Sequence, residues 1–226
     1  MTKPRYYSNI YWHFTGGPVS KEGEVVWHGF RCLQEVKENT VLKTPDTAME
    51  NLKNILNTRT LKATCTEIIA DDMETEKFCC VCDIPLEDIT LHKVYYGDYA
   101  IGFNAKRIHE NFHPVLYFEP HLAKIVKPEF LETSTATSEE KFLSALGIHK
   151  GNPLVNFLKL THFDPDYEDS FYGEREWRCL KDFVFSYEDV EAIIVPKEEV
   201  NDINHYLAHL GYKNISVLSW DFVENI

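Results

Sequence analysis

The chain has 226 residues, 44% of them hydrophobic and 13% aromatic, which is enough apolar material for a true core and too much for a disordered chain. Its 36 acidic residues against 23 basic ones leave a net charge of −13, which opposes generic nucleic-acid binding, because neutralising phosphates needs clustered Lys and Arg. No stretch approaches the roughly 20 apolar residues of a membrane span and the N-terminus lacks a signal-peptide core, so a cytoplasmic protein without membrane association is expected.

No Pro/Gly/Ser-rich linker divides the chain, and residues 1–226 are read as one domain. Residues 8–14, SNIYWHF, alternate as a strand does, and Thr15-Gly16-Gly17-Pro18 then turn the chain. His13 stands where that strand opens into the turn. Beside aromatics it can be a hydrogen-bonded structural histidine; the glycine pair, which lets backbone approach a ligand closely, favours a binding role. Residues 19–43 mix two patterns, with loop early and helix later. A helix over 47–57 follows, capped by Asp46 or Thr47, with Leu52, Ile55 and Leu56 at helical spacing, and Leu61 to Cys65 is extended. The acidic run from Ile68 to Lys77 reads as a solvated loop or exposed turn.

Residues 78–103 form the central stretch. An apolar strand over 78–84 is stopped by Pro85, a helical segment carrying Ile89, Leu91 and His92 follows, Gly97-Asp98 breaks it, and 99–103 is a second strand. Asp83, His92, Tyr95, Tyr96 and Tyr99 are thereby delivered near strand ends, where sites are commonly built. Beyond it, a short helix ending near Asn111 leads to a strand over 115–118. A Ser/Thr-rich connection precedes a capped helix over 139–147, and 153–160 is again extended.

The segment Glu174-Arg175-Glu176-Trp177-Arg178, read as part of a strand over 174–180, projects Glu174, Glu176 and Arg178 on one face and Arg175 and Trp177 on the other. Two carboxylates then stand side by side; the alternative is an edge strand with a solvated charged face. A strand over 190–195, a helix over 197–210 closed by Gly211, and a strand over 215–220 make a βαβ-type scaffold over 190–220. Cysteines at 32, 65, 79, 80, 82 and 179 are expected to be reduced, and the cluster at 79, 80 and 82 lacks paired C-x-x-C spacing, so it is read as buried strand residues with no metal. The expected fold is α+β, a single domain of mixed, mainly antiparallel sheets around a cleft.

The blocks YWHFTGGP, LKNILNTRTLKAT, VCDIPLEDITLHKVYYGDYAIGF, HPVLYFEP and EREWR together resemble the AbiGi family of abortive phage-infection proteins, whose members are regarded as antitoxins. The order of a His-x-Thr strand, a central aromatic strand and a Glu-x-Glu strand is also similar to ADP-ribosyltransferases. The second resemblance implies an ADP-ribosyltransferase-like fold with NAD as substrate and an unidentified macromolecular target. In it Glu176 would stabilise the oxocarbenium-like state as the nicotinamide–ribose bond breaks, and Glu174 would orient or deprotonate the acceptor. His13 would bind ribose hydroxyls, Thr15 and Gly16 would line the nucleotide, and Tyr96 or Tyr99 would stack on nicotinamide.

The first resemblance implies a phage-defence role with a cognate toxin or antitoxin protein as partner. A non-catalytic antitoxin, its acidic surface suited to a basic toxin, explains the same residues. A ribonuclease using His13, His92 or His162 with Glu176 is a third reading. No Rossmann or P-loop glycine motif, nucleophilic serine elbow or H-E-x-x-H is present.

Overall fold

Seven strands share one sheet: β1 (Ile10–Phe14), β7 (Cys79–Cys82), β8 (Ala100–Asn104), β9 (His113–Pro114), β12 (Glu176–Cys179), β14 (Val190–Val195) and β15 (Ser216–Ser219). Among them, in chain order, come β2 (Pro18–Val19), β3 (Val41–Leu42), β4 (Thr60–Leu61), β5 (Ile68–Ala70), β6 (Met73–Glu74), β10 (Leu116–Phe118), β11 (Leu158–Leu160) and β13 (Phe183–Val184). Among the described residues the named α-helices are α1 (Leu33–Asn39), α2 (Pro45–Thr58), α3 (Ile89–Tyr96), α4 (Ala105–His109), α5 (Val200–Leu210) and α6 (Trp220–Val223). This computed structural model describes residues 8–20, 30–70, 73–119, 143–144 and 146–225. Among these residues no helix is long and apolar enough to cross a membrane.

The sheet order is β15-β14-β8-β1-β7-β12-β9, and every pairing is antiparallel except β14 with β15. That exception follows from α5, since a helical crossover returns the chain in the same direction. Both faces of the central strands are buried, and strand alternation divides them. Tyr11, Val81, Ile101, Phe103 and Ile193 pack against Leu52 and Leu56 of α2 and Ile203 and Leu207 of α5. Trp12, Cys82, Ala100, Ala192 and Ile194 face the other way, against Ile89 of α3 and Trp220 and Val223 of α6. Gly102 is required here: a Cβ on it would lie 2.5 Å from Ile10 Cγ2 and 2.8 Å from Trp12 Cζ3, so only glycine lets the indole lie across β8.

The expected α+β class and mainly antiparallel sheet are observed, with local departures. The described part of 68–77 is not a solvated loop. β5 and β6 pair antiparallel and bury Ile69, Ala70 and Met73 against Leu158 and Leu160, because the apolar residues that flank the acids have a core to enter. Extended structure over 153–160 holds only from 158. The Asn152 side chain accepts from Leu154 N–H and Pro153 follows it, which starts a 3-10 turn over Pro153–Phe157. The Glu-x-Glu strand begins at Glu176, since Tyr172–Glu174 is a 3-10 turn and Arg175 takes a left-handed φ of 45°. It is no edge strand, because β12 lies between β7 and β9. Helix α2 starts earlier than expected, with Thr44 as its cap and Pro45 first in the helix. The helix expected over 139–147 falls largely outside the described residues.

Candidate functional site

β1 meets β7 at a single register pair, Trp12 opposite Cys82, and beyond it the two strands part. Into that fork the His13 ring turns, and its Nδ1 bonds the Cys80 carbonyl of β7 at 2.9 Å where a ladder bond would otherwise run. A cavity of about 410 Å³ occupies the fork, walled by α2, β4 and the splayed strands. Of the expected site residues, His13, Thr15, Tyr96, Glu174 and Glu176 line it. Gly16 and Tyr99 do not. Gly16 packs backbone to backbone on Gly97, where a Cβ would come within 3.2 Å of the Gly97 Cα, and Tyr99 is buried in the core below the sheet. The two tyrosines part because Gly97, at φ 84°, ends α3 between them.

The floor is an ion cluster. Lys159, in the middle of β11, places its ammonium 3.2 Å from Glu174 Oε2 and 3.2 Å from Glu176 Oε2. The fully buried Arg178 donates Nε–H to Glu176 Oε1 at 2.9 Å and Nη2–H to Glu176 Oε2 at 3.1 Å. It also pairs with Glu67 and gives Nη1–H to the carbonyls of Asn156 and Leu158, each at 3.2 Å. Tyr96 O–H donates to Glu174 Oε1. Three carboxylates thus face two cations, all of them buried side chains at the base of the cavity. Burial alone would raise the Glu176 carboxyl, but Arg178 and Lys159 outweigh it and hold it at about 2. Glu174 goes the other way, because its burial outweighs the single cation beside it.

The histidines of the cavity are neutral at pH 7. Burial lowers His13 to about 4, against the raising effect of its Cys80 bond. Burial, assisted by Lys159, lowers His92 to about 3. His92 stacks on Tyr96 at 4.2 Å between ring centroids and bonds Tyr167 Oη through Nδ1 at 3.0 Å. The thiols of Cys80 and Cys82 are pushed well up by burial and then by the nearby glutamates, so neither is a thiolate nucleophile. His162 does not line the cavity, and Tyr95 bonds Glu168 outside it. Asp83 is tied to Arg175 at 2.7 Å and to Ser8 N–H at 2.7 Å, a structural pairing.

Lys159, Glu67, Lys43 and Trp12 were not singled out from sequence. Lys159 has a readable signal, since it is a lone lysine between Leu158 and Leu160 in an apolar strand, and buried lysine requires a partner. Glu67 sits beside the acidic run and has no such signal.

A family model described as "Putative abortive phage resistance protein AbiGi, antitoxin" matches residues 58–216, most of the chain. No curated protein and no solved structure matches it.

Proposed function

Because the chain belongs to the AbiGi family of abortive phage resistance proteins, we propose that it is the restraint of a phage-defence pair, an antitoxin that binds a cognate toxin protein and holds it inactive. The observation that carries this reading is the ion cluster. Glu176 is the carboxylate a transferase would aim at a developing cation, and both its oxygens are taken up by Arg178 and Lys159. A neutralised carboxylate lends little field to a reacting centre, whereas a paired one fixes a scaffold. The net charge of −13 suits a basic partner and a fast, salt-sensitive encounter. Expression of the chain alone should leave growth unchanged, and co-expression should relieve arrest by the toxic product of a neighbouring gene. Growth arrest by this chain alone would overturn the reading.

A second reading is NAD-dependent ADP-ribosyl transfer, favoured by one observation: His13, Thr15, Tyr96, Glu174 and Glu176 line one cavity. On this reading wild type consumes NAD in the presence of its partner and target. Glu176→Gln keeps the shape and loses the charge, so turnover should fall by about 10²–10³. NAD loss and ADP-ribose transfer are the measurements, with melts to show that both proteins fold. Absence of turnover in wild type, or equal turnover in the variant, removes this reading.

A further inference from the structure

The cavity carries three groups that the ion cluster does not use. Lys43 lies partly buried on its wall and donates to the Gly17 carbonyl at 3.0 Å, yet no carboxylate among the described residues is within salt-bridge reach of it. A partly buried ammonium without a counter-ion is an electrostatic deficit that an anion would fill. The second group is His13. Its Nδ1–H is committed to the Cys80 carbonyl, which can only accept, so Nε2 keeps its lone pair, and no described residue donates to it. The third is Trp12, whose buried indole N–H meets no acceptor among the described residues. Its Cζ3 edge lies over Gly102 of β8, and the residue lines the cavity.

These groups are graded in depth. Trp12, Glu174, Glu176 and Lys159 are buried at the floor, while Lys62 is exposed at the mouth. Phe14, Phe78 and Tyr96 supply aromatic wall. A ligand that satisfies the arrangement has an anionic end for Lys43 and a planar ring system with its own N–H donor for His13. The volume of about 410 Å³ lies in the range of roughly 300–1,000 Å³ typical of small-ligand pockets.

We propose that this cavity is a binding site for a mononucleotide, with the phosphate at Lys43 and the base N–H on His13 Nε2 against the aromatic wall. The inference goes beyond the restraint reading and holds whether or not the chain binds a toxin; it also requires no bond to be broken. Occupancy would brace α2 against β1 and β7, since Lys43 leads into α2 and His13 closes the fork.

Calorimetric titration of the full chain with AMP, GMP, CMP and UMP, and separately with ribose 5-phosphate and the free nucleosides, tests it. At least one mononucleotide should bind saturably, one per chain, and more tightly than either fragment. Lys43→Met should weaken that nucleotide by about tenfold or more, the loss of one charge-assisted contact, while leaving its nucleoside unchanged. His13→Phe should weaken both. At one fixed concentration the same nucleotide should raise the melting temperature of wild type by more than that of Lys43→Met. The proposal is overturned if no mononucleotide saturates wild type below about 1 mM, or if Lys43→Met binds as wild type does. Failure to neutralise a toxin, or absence of NAD turnover, leaves these outcomes unaffected.

Discussion

Replacing Arg178 by methionine is expected to destabilise the fold by about 3–5 kcal/mol, the usual result of removing one partner from a buried ion pair. The guanidinium is completely buried and satisfies two carboxylates, those of Glu67 and Glu176, together with the carbonyls of Asn156 and Leu158. Methionine fills part of the space against Phe78, over whose ring the guanidinium carbon sits at 4.2 Å, but donates nothing. Three carboxylates are then left around Lys159 alone, and at least one must protonate or draw in water. Chemical denaturation at pH 7 measures the loss. Adding Glu67→Gln and Glu176→Gln to Arg178→Met should recover much of it, because the cost comes from orphaned charge more than from lost attraction. A single variant within about 1 kcal/mol of wild type would mean that the cluster is solvated and contributes little.

The second large effect is acid instability in a window set by histidines. Burial holds His13 at about 4 and His92 at about 3, whereas both have an ordinary value near 6.5 in the unfolded chain. Between those limits the unfolded chain binds protons that the fold refuses. The stability these rings contribute is therefore complete above pH 6.5 and is lost as pH falls toward 4 and then 3. At about 1.4 kcal/mol per unit, each ring should withdraw roughly 2–3 kcal/mol by about pH 4.5. Glu176, held at about 2, acts in the same direction, but only below its ordinary carboxylate value. Glu174 opposes them, since a carboxyl raised by burial favours the fold as it protonates. Unfolding free energies from pH 7 down to about pH 4.5 should show the decline, and His92→Gln should flatten part of it. A profile that stays level across that range and that His92→Gln leaves unchanged would show that the rings titrate freely in the fold.

Much of the scaffold is legible in the residues alone, for a local reason. β7 is bounded by Pro85, the end of α3 is set by Gly97, and α5 is closed by Gly211, so each boundary rests on backbone chemistry a few residues long. The alternation that assigns Tyr11 and Trp12, or Ile193 and Ile194, to opposite faces of the sheet needs only the period of a strand. The juxtaposition of Glu174 and Glu176 is also visible there, although the left-handed Arg175 that lies between them is not.

What those carboxylates are is a different matter, and only the tertiary structure decided it. Their partner cation Lys159 lies on β11, which pairs with β10 outside the main sheet, and Glu67, which shares Arg178 with Glu176, is 111 residues away from that arginine. The same Glu-Arg-Glu-Trp-Arg segment on a solvated edge would be a weakly interacting charged strand. Enclosed between β7 and β9 it becomes a buried cluster in which one glutamate is driven down and its neighbour up. Local sequence fixes which groups a strand presents, but desolvation and long-range pairing fix their charge, because both depend on what the rest of the chain packs around them.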